Sequence, residues 1–276
     1  MTEFIFKYGP RKGLKVNQIQ SYDRWRTVFI ENDSPIHWKE GRSAQSLAED
    51  FMLNNKIGRD MLVQIVEQIT ENEIAGNIEA YIEHESKIDG FRGKARMQDL
   101  AAFGKLLNNK SFFIGAEAKV DETFDETIGE KAVIIEKYRV QHVTTKQPER
   151  LMNLLHDFLH IQFNKCSFPE LPDIPNEIKN LRYQLLYYLA GSFRENAEII
   201  FMPVVVYKSN GLHFGCYNPI VGKQNQIDYE NFRKALGFQE YKTIQFEGND
   251  IVVYYAKIKD LRDNRAKDVY TCYIVR

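Results

Sequence analysis

Asp99 and the triplet Glu117-Ala118-Lys119 are the residues whose types and spacing could carry out chemistry. Alternate side chains of a β-strand share a face, so we expect Glu117 and Lys119 to point one way and Ala118 into the core. Asp99, on a partner strand, can then lie opposite them. Two converging carboxylates repel each other unless a hard cation lies between them, and such oxygen ligands suit Mg²⁺ or Mn²⁺.

A bound metal of this kind could polarise a phosphate and lower the pKa of a bound water, while Lys119 orients or activates that nucleophile. An acid two residues before a lysine is common, and the simpler interpretation is an ion pair at a strand edge, worth little to stability. Val120-Asp121-Glu122 follow directly and put further charges at the end of a buried strand. This context favours the metal site over the plain ion pair.

A β-hairpin is predicted from Met97 to Val120, because two short apolar segments flank a turn rich in Asn and Lys. Upstream, the apolar pattern after Gly41-Arg42-Ser43 predicts a short helix, with Ser46 and Glu49 as a capping box. An apolar stripe over residues 59 to 83 predicts one long helix or two abutting helices. We therefore expect an N-terminal helical part covering about residues 42–85.

Downstream, amphipathic helices are predicted after Pro148 and over residues 178 to 195, followed by a central strand from Glu198 to Tyr207. Pro203 in that strand indicates an unpaired edge at its position. Residues 240–276 are expected to form a strand-rich extension. The order of elements predicts an α/β fold: one continuous domain over residues 1–276 with a mixed sheet covered by helices on both faces.

Composition and charge narrow the class of protein. An apolar fraction of 43% with 27% charged residues is typical of a globular chain, and a net charge of −1 argues against a protein that coats nucleic acid through overall positive potential. Any DNA contact would then be local, and its source would be an early basic segment, whose simpler interpretation is a solvated surface. That segment comprises Lys7, Arg11, Lys12, Lys15, Arg24 and Arg26.

The cellular location and the redox state of the cysteines are predicted from the lack of membrane, signal-peptide and CxxC patterns in the sequence. No stretch approaches the ~18 consecutive apolar residues of a membrane helix, and Glu3 stands where a signal peptide carries bases. We therefore expect a cytoplasmic protein without a membrane partner. Cys166, Cys216 and Cys272 form no CxxC pair and are expected to be reduced, although a Cys-His nucleophilic pair stays open.

Several segments together resemble the PD-(D/E)XK nuclease superfamily and, within it, a poorly characterised bacterial family. The superfamily has a mixed sheet with an acid on one strand and an acid-x-lysine on the next. The matching segments lie in the expected order from residue 37 to about residue 207, with Gln98 in place of the superfamily's usual proline. They are His37-Trp38-Lys39-Glu40-Gly41-Arg42-Ser43-Ala44, Gln98-Asp99-Leu100, Glu117-Ala118-Lys119-Val120-Asp121-Glu122 and Leu181-Arg182-Tyr183-Gln184-Leu185.

The resemblance implies a restriction-endonuclease-like fold and a Mg²⁺- or Mn²⁺-dependent enzyme that cleaves DNA in restriction, repair or defence, with a homodimer possible. Asp99, Glu117 and the Ala118 carbonyl would hold the metal, and Lys119 would be the catalytic lysine. A further acid from a preceding helix would be Glu79 or Glu83. The spacing of Gln184 and Tyr188 is similar to the Gln-x-x-x-Tyr motif of RecB-like members, where both lie beside the active site; core packing is the alternative.

Three rival interpretations stay open. A nuclease-like scaffold that has lost activity could serve as a binding or regulatory protein, in keeping with the near-neutral charge. His156 and His160, four apart on a predicted helix, could chelate zinc, although Asp157 stands where a zinc protease needs glutamate. His37 and Trp38 could stack on a base, although an aromatic residue ahead of a helix more often packs against it.

Overall fold

A computed structural model describes residues 2–8, 18–32, 38–39, 41–89, 96–161, 174–208 and 217–276 of the chain. Within these ranges the chain forms nine strands and eight α-helices. The strands are β1 (Phe4–Tyr8), β2 (Gln18–Ile19), β3 (Ile78–Ser86), β4 (Arg96–Lys105), β5 (Ser111–Lys119), β6 (Ile199–Val206), β7 (Glu240–Phe246), β8 (Asn249–Asp260) and β9 (Arg265–Val275). The helices are α1 (Tyr22–Asn32), α2 (Ser43–Met52), α3 (Ile57–Thr70), α4 (Ile128–Val140), α5 (Gln147–Leu159), α6 (Asn176–Lys179), α7 (Tyr183–Arg194) and α8 (Pro219–Ala235).

All nine strands belong to one mixed sheet in the order β2-β1-β3-β4-β5-β6-β9-β8-β7. The pairs β1/β3, β5/β6 and β6/β9 are parallel, and the others are antiparallel. Because β5, β6 and β9 run in the same direction, their carboxyl ends meet at one edge of the sheet. That edge holds Lys119, the last residue of β5.

Two hydrophobic clusters cover the two faces of the sheet. One cluster contains the buried side chains of α1, α2 and α3, and the other contains those of α4, α5, α7 and α8. Strand β6 is buried at every position because it lies in the middle of the sheet with helices on both sides. The prediction of a mixed α/β sheet with helices on both faces is thus confirmed.

The hairpin of β4 and β5, the helix α2, the helix α5 after its first-turn proline and the central strand β6 are confirmed at nearly the predicted bounds. The strand-rich C-terminal part is also confirmed, as β7, β8 and β9. The predicted capping box is wrong, because α2 begins at Ser43 and Ser46 lies inside it. The helix predicted from residue 178 begins only at Tyr183, after the separate turn α6.

The helical part predicted for residues 42–85 is wrong beyond Thr70. Ile78 and Ile82, read as part of a helical stripe, lie on β3, which pairs with β1 on one side and β4 on the other. Residues 78 to 82 alternate between buried and less buried positions, the period of a strand. Isoleucines four apart fit both a helix and a strand, and pairing with distant strands decides the outcome.

Within the described part of the chain, none of the helices has both the length and the apolar character needed to cross a membrane.

Candidate metal centre

Asp99 lies where the two strands of the hairpin stop pairing. The last pair of the β4/β5 ladder on this side is Leu100 with Ala116. Beyond it, a carboxylate oxygen of Asp99 accepts a hydrogen bond from the backbone N–H of Ala118, at 2.7 Å. A side chain thus replaces the backbone acceptor that a continued ladder would supply, and it ties Asp99 to the middle residue of the triplet.

Glu117 and Lys119 share a face of β5, as the strand period predicts. The Lys119 ammonium lies 2.8 Å from Oε1 of Glu117, and both side chains are buried. The amide of Gln184, from the first turn of α7, donates to the same Oε1. Two donors therefore converge on one oxygen of Glu117 and fix the carboxylate in place.

Burial perturbs the titration of these acids. Burial, followed by the charge of Glu117, raises the pKa of Asp99 to about 8. Burial likewise raises the pKa of Glu117, against the opposing effect of Lys119. Burial therefore destabilises the charged form of both acids, and a nearby cation would offset that cost.

Lys119 carries its proton in this arrangement. Burial lowers the pKa of its ammonium, but the charges of Glu117 and Asp99 outweigh burial and raise the pKa above its ordinary value. The side chain also lies 5.6 Å above the ring of Phe124. Without a metal, Lys119 is a positive charge held against the two acids and not a free base.

Each acid keeps one oxygen free of hydrogen bonds from the described residues. Asp99 uses one oxygen for Ala118, and Glu117 uses one for Lys119 and Gln184. Two free carboxylate oxygens suit Mg²⁺, which is bound through one or two carboxylates and keeps several waters. No group of three or more His, Cys, Asp or Glu side chains that could hold a metal occurs among the described residues, so a metal here would depend on two acids, the Ala118 carbonyl and water.

Tyr188, one turn beyond Gln184 on α7, supports the strand that carries the acids. Elsewhere in the β5/β6 ladder, the N–H of Tyr207 donates to the carbonyl of Lys119 at 2.8 Å. Four residues earlier on both strands, the equivalent residues are Pro203 and Gly115. Proline has no N–H, so the ladder supplies no donor for the carbonyl of Gly115. The buried hydroxyl of Tyr188 donates to that carbonyl instead. The unpaired edge predicted at Pro203 is thus real, and Tyr188 compensates for it.

Two further acids follow the strand. The charges of Glu122 and Asp125 add to the effect of burial on Glu117, and Glu122 also acts on Asp99. Gln184 connects this segment to the centre, because its side-chain oxygen accepts from the Asp125 N–H at 3.1 Å. The charges that follow Val120 are the signal in the sequence that points to Glu122 and Asp125, which the strand and spacing patterns do not indicate.

Two arginines from the segments that carry the resemblance form ion pairs in different places. Arg42, which precedes α2, forms an ion pair with Asp121, two residues after Lys119. Arg182 pairs instead with Asp228 of α8 at 2.7 Å, and it also donates to the carbonyl of Asp125 at 3.1 Å. The first contact anchors a helix to the end of β5, and the second anchors the start of α7.

Glu79 and Glu83 lie on β3 and not on a helix, which corrects their expected setting. Glu79 is half-exposed and pairs with Lys7 at 3.0 Å, opposite Phe103 and away from Asp99. Glu83 has a positive φ of 53°. The pairs on either side of it, Ile82 with Leu100 and His84 with Gln98, put it level with Asp99. Of the two acids, only Glu83 therefore lies level with Asp99 in the sheet.

The zinc interpretation is not supported by the geometry. Helix α5 ends at Leu159, so His160 lies past its end in a left-handed conformation. His156 lies 3.1 Å from Asp157, and His160 lies 3.4 Å from the carbonyl of Lys259. The two histidines thus do not share a helical face.

Other candidates from the sequence resolve as packing or fall outside the described ranges. Trp38 is buried and packs edge-on against Tyr22 and Phe29, which favours packing over base stacking. Cys272 is buried, and burial raises the pKa of its thiol to about 12. Lys7 is paired with Glu79. Arg24 is half-buried, Arg26 is exposed, and the candidates outside the described ranges are His37, Arg11, Lys12, Lys15, Cys166 and Cys216.

Comparison with known families gives one match. Residues 18–260 match the model of a family described as a domain of unknown function, DUF6946. The chain matches no curated protein and no solved structure. The match includes every residue of the candidate metal centre, so the centre lies within the family domain.

Proposed function

We propose that this chain, which belongs to the DUF6946 family, is a divalent-metal-dependent phosphodiesterase that cleaves DNA. The observation that carries the proposal is the convergence of Asp99 and Glu117, each with one uncommitted oxygen, beside the ammonium of Lys119. Buried acids with raised pKa values and a charged partner are typical of functional sites. An ion pair with a purely structural role would not need a second carboxylate beside it, which here is the partly buried Asp99.

The sheet supports a restriction-endonuclease-like interpretation of the fold. An acid on β4 and an acid-x-lysine on the antiparallel neighbour β5 are followed by the parallel strand β6. Helix α7 places Gln184 and Tyr188 against β5. This is the arrangement that the PD-(D/E)XK resemblance implies, and it rests on position in the sheet as well as on residue identity.

Each side chain has a distinct role in the proposed reaction. Asp99, Glu117 and the Ala118 carbonyl would hold Mg²⁺ or Mn²⁺, which when bound supplies charge neutralisation at phosphate and an acidified water. Lys119 holds a positive charge where negative charge develops on the phosphate in the transition state. Gln184 keeps Glu117 in a fixed orientation through the amide contact.

Cleavage of DNA by the purified full chain tests the proposal. Plasmid and linear DNA are incubated with Mg²⁺ or Mn²⁺, and wild type is compared with Asp99→Ala and Lys119→Ala. We expect both variants to lose about 100-fold or more in cleavage rate. Equal cleavage by wild type and both variants would mean that the activity, if present, does not come from this centre.

A second candidate function is a binding or regulatory protein on the same scaffold. It is favoured by the engagement of Glu117, whose Oε1 already serves Lys119 and Gln184, and by the net charge of −1. Such a scaffold would show no Mn²⁺ binding that Glu117→Gln removes. Metal binding without cleavage of any nucleic acid would favour a site that is intact but serves another reaction.

A further inference from the structure

A cavity of about 300 Å³ opens at the same sheet edge as the metal centre, on the face covered by α2 and α3. It lies at the ends of β6 and β9 and beside the turn between β7 and β8. Its lining includes Asp50, Tyr207, Phe246 and Arg276. The reaction proposed for the metal centre makes no use of these residues.

The cavity is built around a buried acid. Asp50, on α2, is almost fully buried, and the hydroxyl of Tyr207 donates to one of its oxygens at 3.1 Å. Nη1 of Arg276 lies 3.2 Å from the other oxygen. That nitrogen is buried and has no well-directed hydrogen-bond acceptor among the described residues. A carboxylate with spare lone pairs therefore lies beside a guanidinium with an unused N–H.

The cavity adjoins the metal centre through one residue. Tyr207 donates its backbone N–H to the carbonyl of Lys119 at 2.8 Å, while its side chain forms part of the cavity lining. The two sites therefore lie at a common edge but on opposite faces of the sheet, since the acids face α7 and the cavity faces α2 and α3. One substrate that crosses this edge can reach both.

The charged side chains that line the cavity favour the base of a nucleotide over its phosphate. Asp50, Glu247 and Asp250 contribute three carboxylates against the one guanidinium of Arg276. A phosphate would be repelled, whereas a neutral base with N–H donors would be accepted. The volume is at the small end of the roughly 300–1,000 Å³ of ligand pockets, which suits a single nucleoside. Phe246, half-buried at the lining, offers an aromatic surface to such a base.

We infer that this cavity binds a nucleobase of the strand that is cut, with guanine preferred, an inference that rests on the proposed nuclease function. Guanine offers N–H donors at N1 and its amino group to the carboxylate of Asp50. It also offers acceptors at O6 and N7 to the guanidinium of Arg276, the atoms that arginine commonly reads in DNA. The cavity then fixes which nucleotide lies next to the metal centre.

The test is calorimetric binding of single deoxynucleoside monophosphates to the full chain without metal. We expect dGMP to bind more tightly than dAMP, dCMP or dTMP, and Asp50→Asn and Arg276→Gln each to weaken dGMP binding about tenfold or more. The analogue dIMP, which lacks the amino group, should bind more weakly than dGMP to wild type. In Asp50→Asn, dIMP should still bind, with the same affinity as dGMP, whereas loss of structure would abolish the binding of both nucleotides.

Matched controls come from the turn between β8 and β9, at the opposite end of β9. Asp263→Asn and Arg265→Gln change the same chemical groups there and should leave dGMP binding unaltered. If the Asp50 variant fails to fold, Tyr207→Phe replaces it in the test. This variant keeps the ring, loses the hydroxyl that holds Asp50, and should bind dGMP with reduced affinity. Absence of dGMP binding to wild type, or equal affinity in wild type and the cavity variants, would overturn the inference.

The nuclease proposal and the base site can fail separately. DNA cleavage that requires Lys119, in a chain that binds no dGMP, overturns the base site alone. Selective dGMP binding that Asp50→Asn removes, in a chain that cuts no DNA, supports the base site and overturns the nuclease.

Discussion

The carboxylate of Asp99 accepts the backbone N–H of Ala118 at 2.7 Å, just beyond the last ladder pair of β4 and β5. This contact makes one candidate metal ligand the hydrogen-bond partner of the residue between Glu117 and Lys119. The position of both acids is therefore set by one hairpin, and side-chain freedom contributes little. A site fixed in this way should tolerate loss of charge at Asp99 without losing its shape.

Asp99→Asn should stabilise the metal-free chain while it abolishes metal binding. An amide oxygen can still accept a hydrogen bond from Ala118, and asparagine needs neither the proton nor the buried charge that folding imposes on Asp99, whose pKa is raised to about 8. We expect the free energy of unfolding at pH 7 to rise by about 1–4 kcal/mol, the gain seen when buried ionic groups are replaced by neutral ones. Urea unfolding without metal measures this change. A loss of stability would contradict the unfavourable burial that we assign to the carboxyl group of Asp99.

Tyr188→Phe should destabilise the chain by about 1–3 kcal/mol, because it leaves the buried carbonyl of Gly115 without a donor. Pro203→Ala adds a backbone N–H at the position facing that carbonyl. In the double variant, the new N–H should recover part of the loss. A double-mutant cycle from urea unfolding measures the coupling between the two positions.

Tyr187→Phe is the matched control for that cycle, since its hydroxyl lies 3.2 Å from Asp125 and not at the ladder. Pro203→Ala should not rescue it. If the effects of Tyr188→Phe and Pro203→Ala simply add, the compensation between the tyrosine and the proline is wrong.

Gln184→Ala should weaken Mn²⁺ binding about 10- to 100-fold, the usual effect of removing a group that orients a metal ligand. The amide of Gln184 holds both Glu117 and the N–H of Asp125. Calorimetric titration with Mn²⁺ gives the affinity. Gln224→Ala removes a comparable contact to Asp228 on α8, of 2.9 Å, and should leave the affinity unchanged. Equal effects of the two substitutions would make Gln184 a packing residue only.

Lys267 should make stability rise with pH in the alkaline range. Burial lowers the pKa of its ammonium from 10.5 to about 8, while Nζ donates to the carbonyls of Phe193 and Glu195 at the end of α7. Between these two pKa values the unfolded chain binds more protons than the folded chain, so the free energy of unfolding increases with pH. Urea unfolding from pH 8 to pH 10.5 should show a smaller increase in Lys267→Met. The exposed Lys257→Met should retain the increase seen in wild type, and identical slopes in all three proteins would refute the assignment.

Local patterns predicted the elements whose partners are close in sequence. The hairpin of β4 and β5 needs only a turn between two apolar segments, so Asp99 and Glu117 could be placed on adjacent strands before the structure was known. Strand β3 was missed because isoleucines four apart fit a helix equally well, and its parallel partner β1 lies far upstream in the chain.

Contacts between segments that are distant in the chain could not be predicted from the sequence. The spacing of Gln184 and Tyr188 indicated a shared helical face, and the resemblance implied a place beside the acids, but the contact with Glu117 depends on how α7 packs. No local pattern indicates the cavity around Asp50 and Arg276, because these residues meet only when α2 packs against the end of β9.

Calorimetric titration of the full chain with Mn²⁺ tests the central claim most directly, because the claim is that Asp99 and Glu117 bind one divalent ion together. We expect wild type to bind one ion per chain, Glu117→Gln and Asp99→Asn to abolish that binding, and Lys119→Ala to retain it. The exposed Glu136→Gln serves as the matched control and should bind as wild type does. Wild type that binds no Mn²⁺, or variants of Glu117 and Asp99 that bind it with unchanged affinity, would contradict the metal centre.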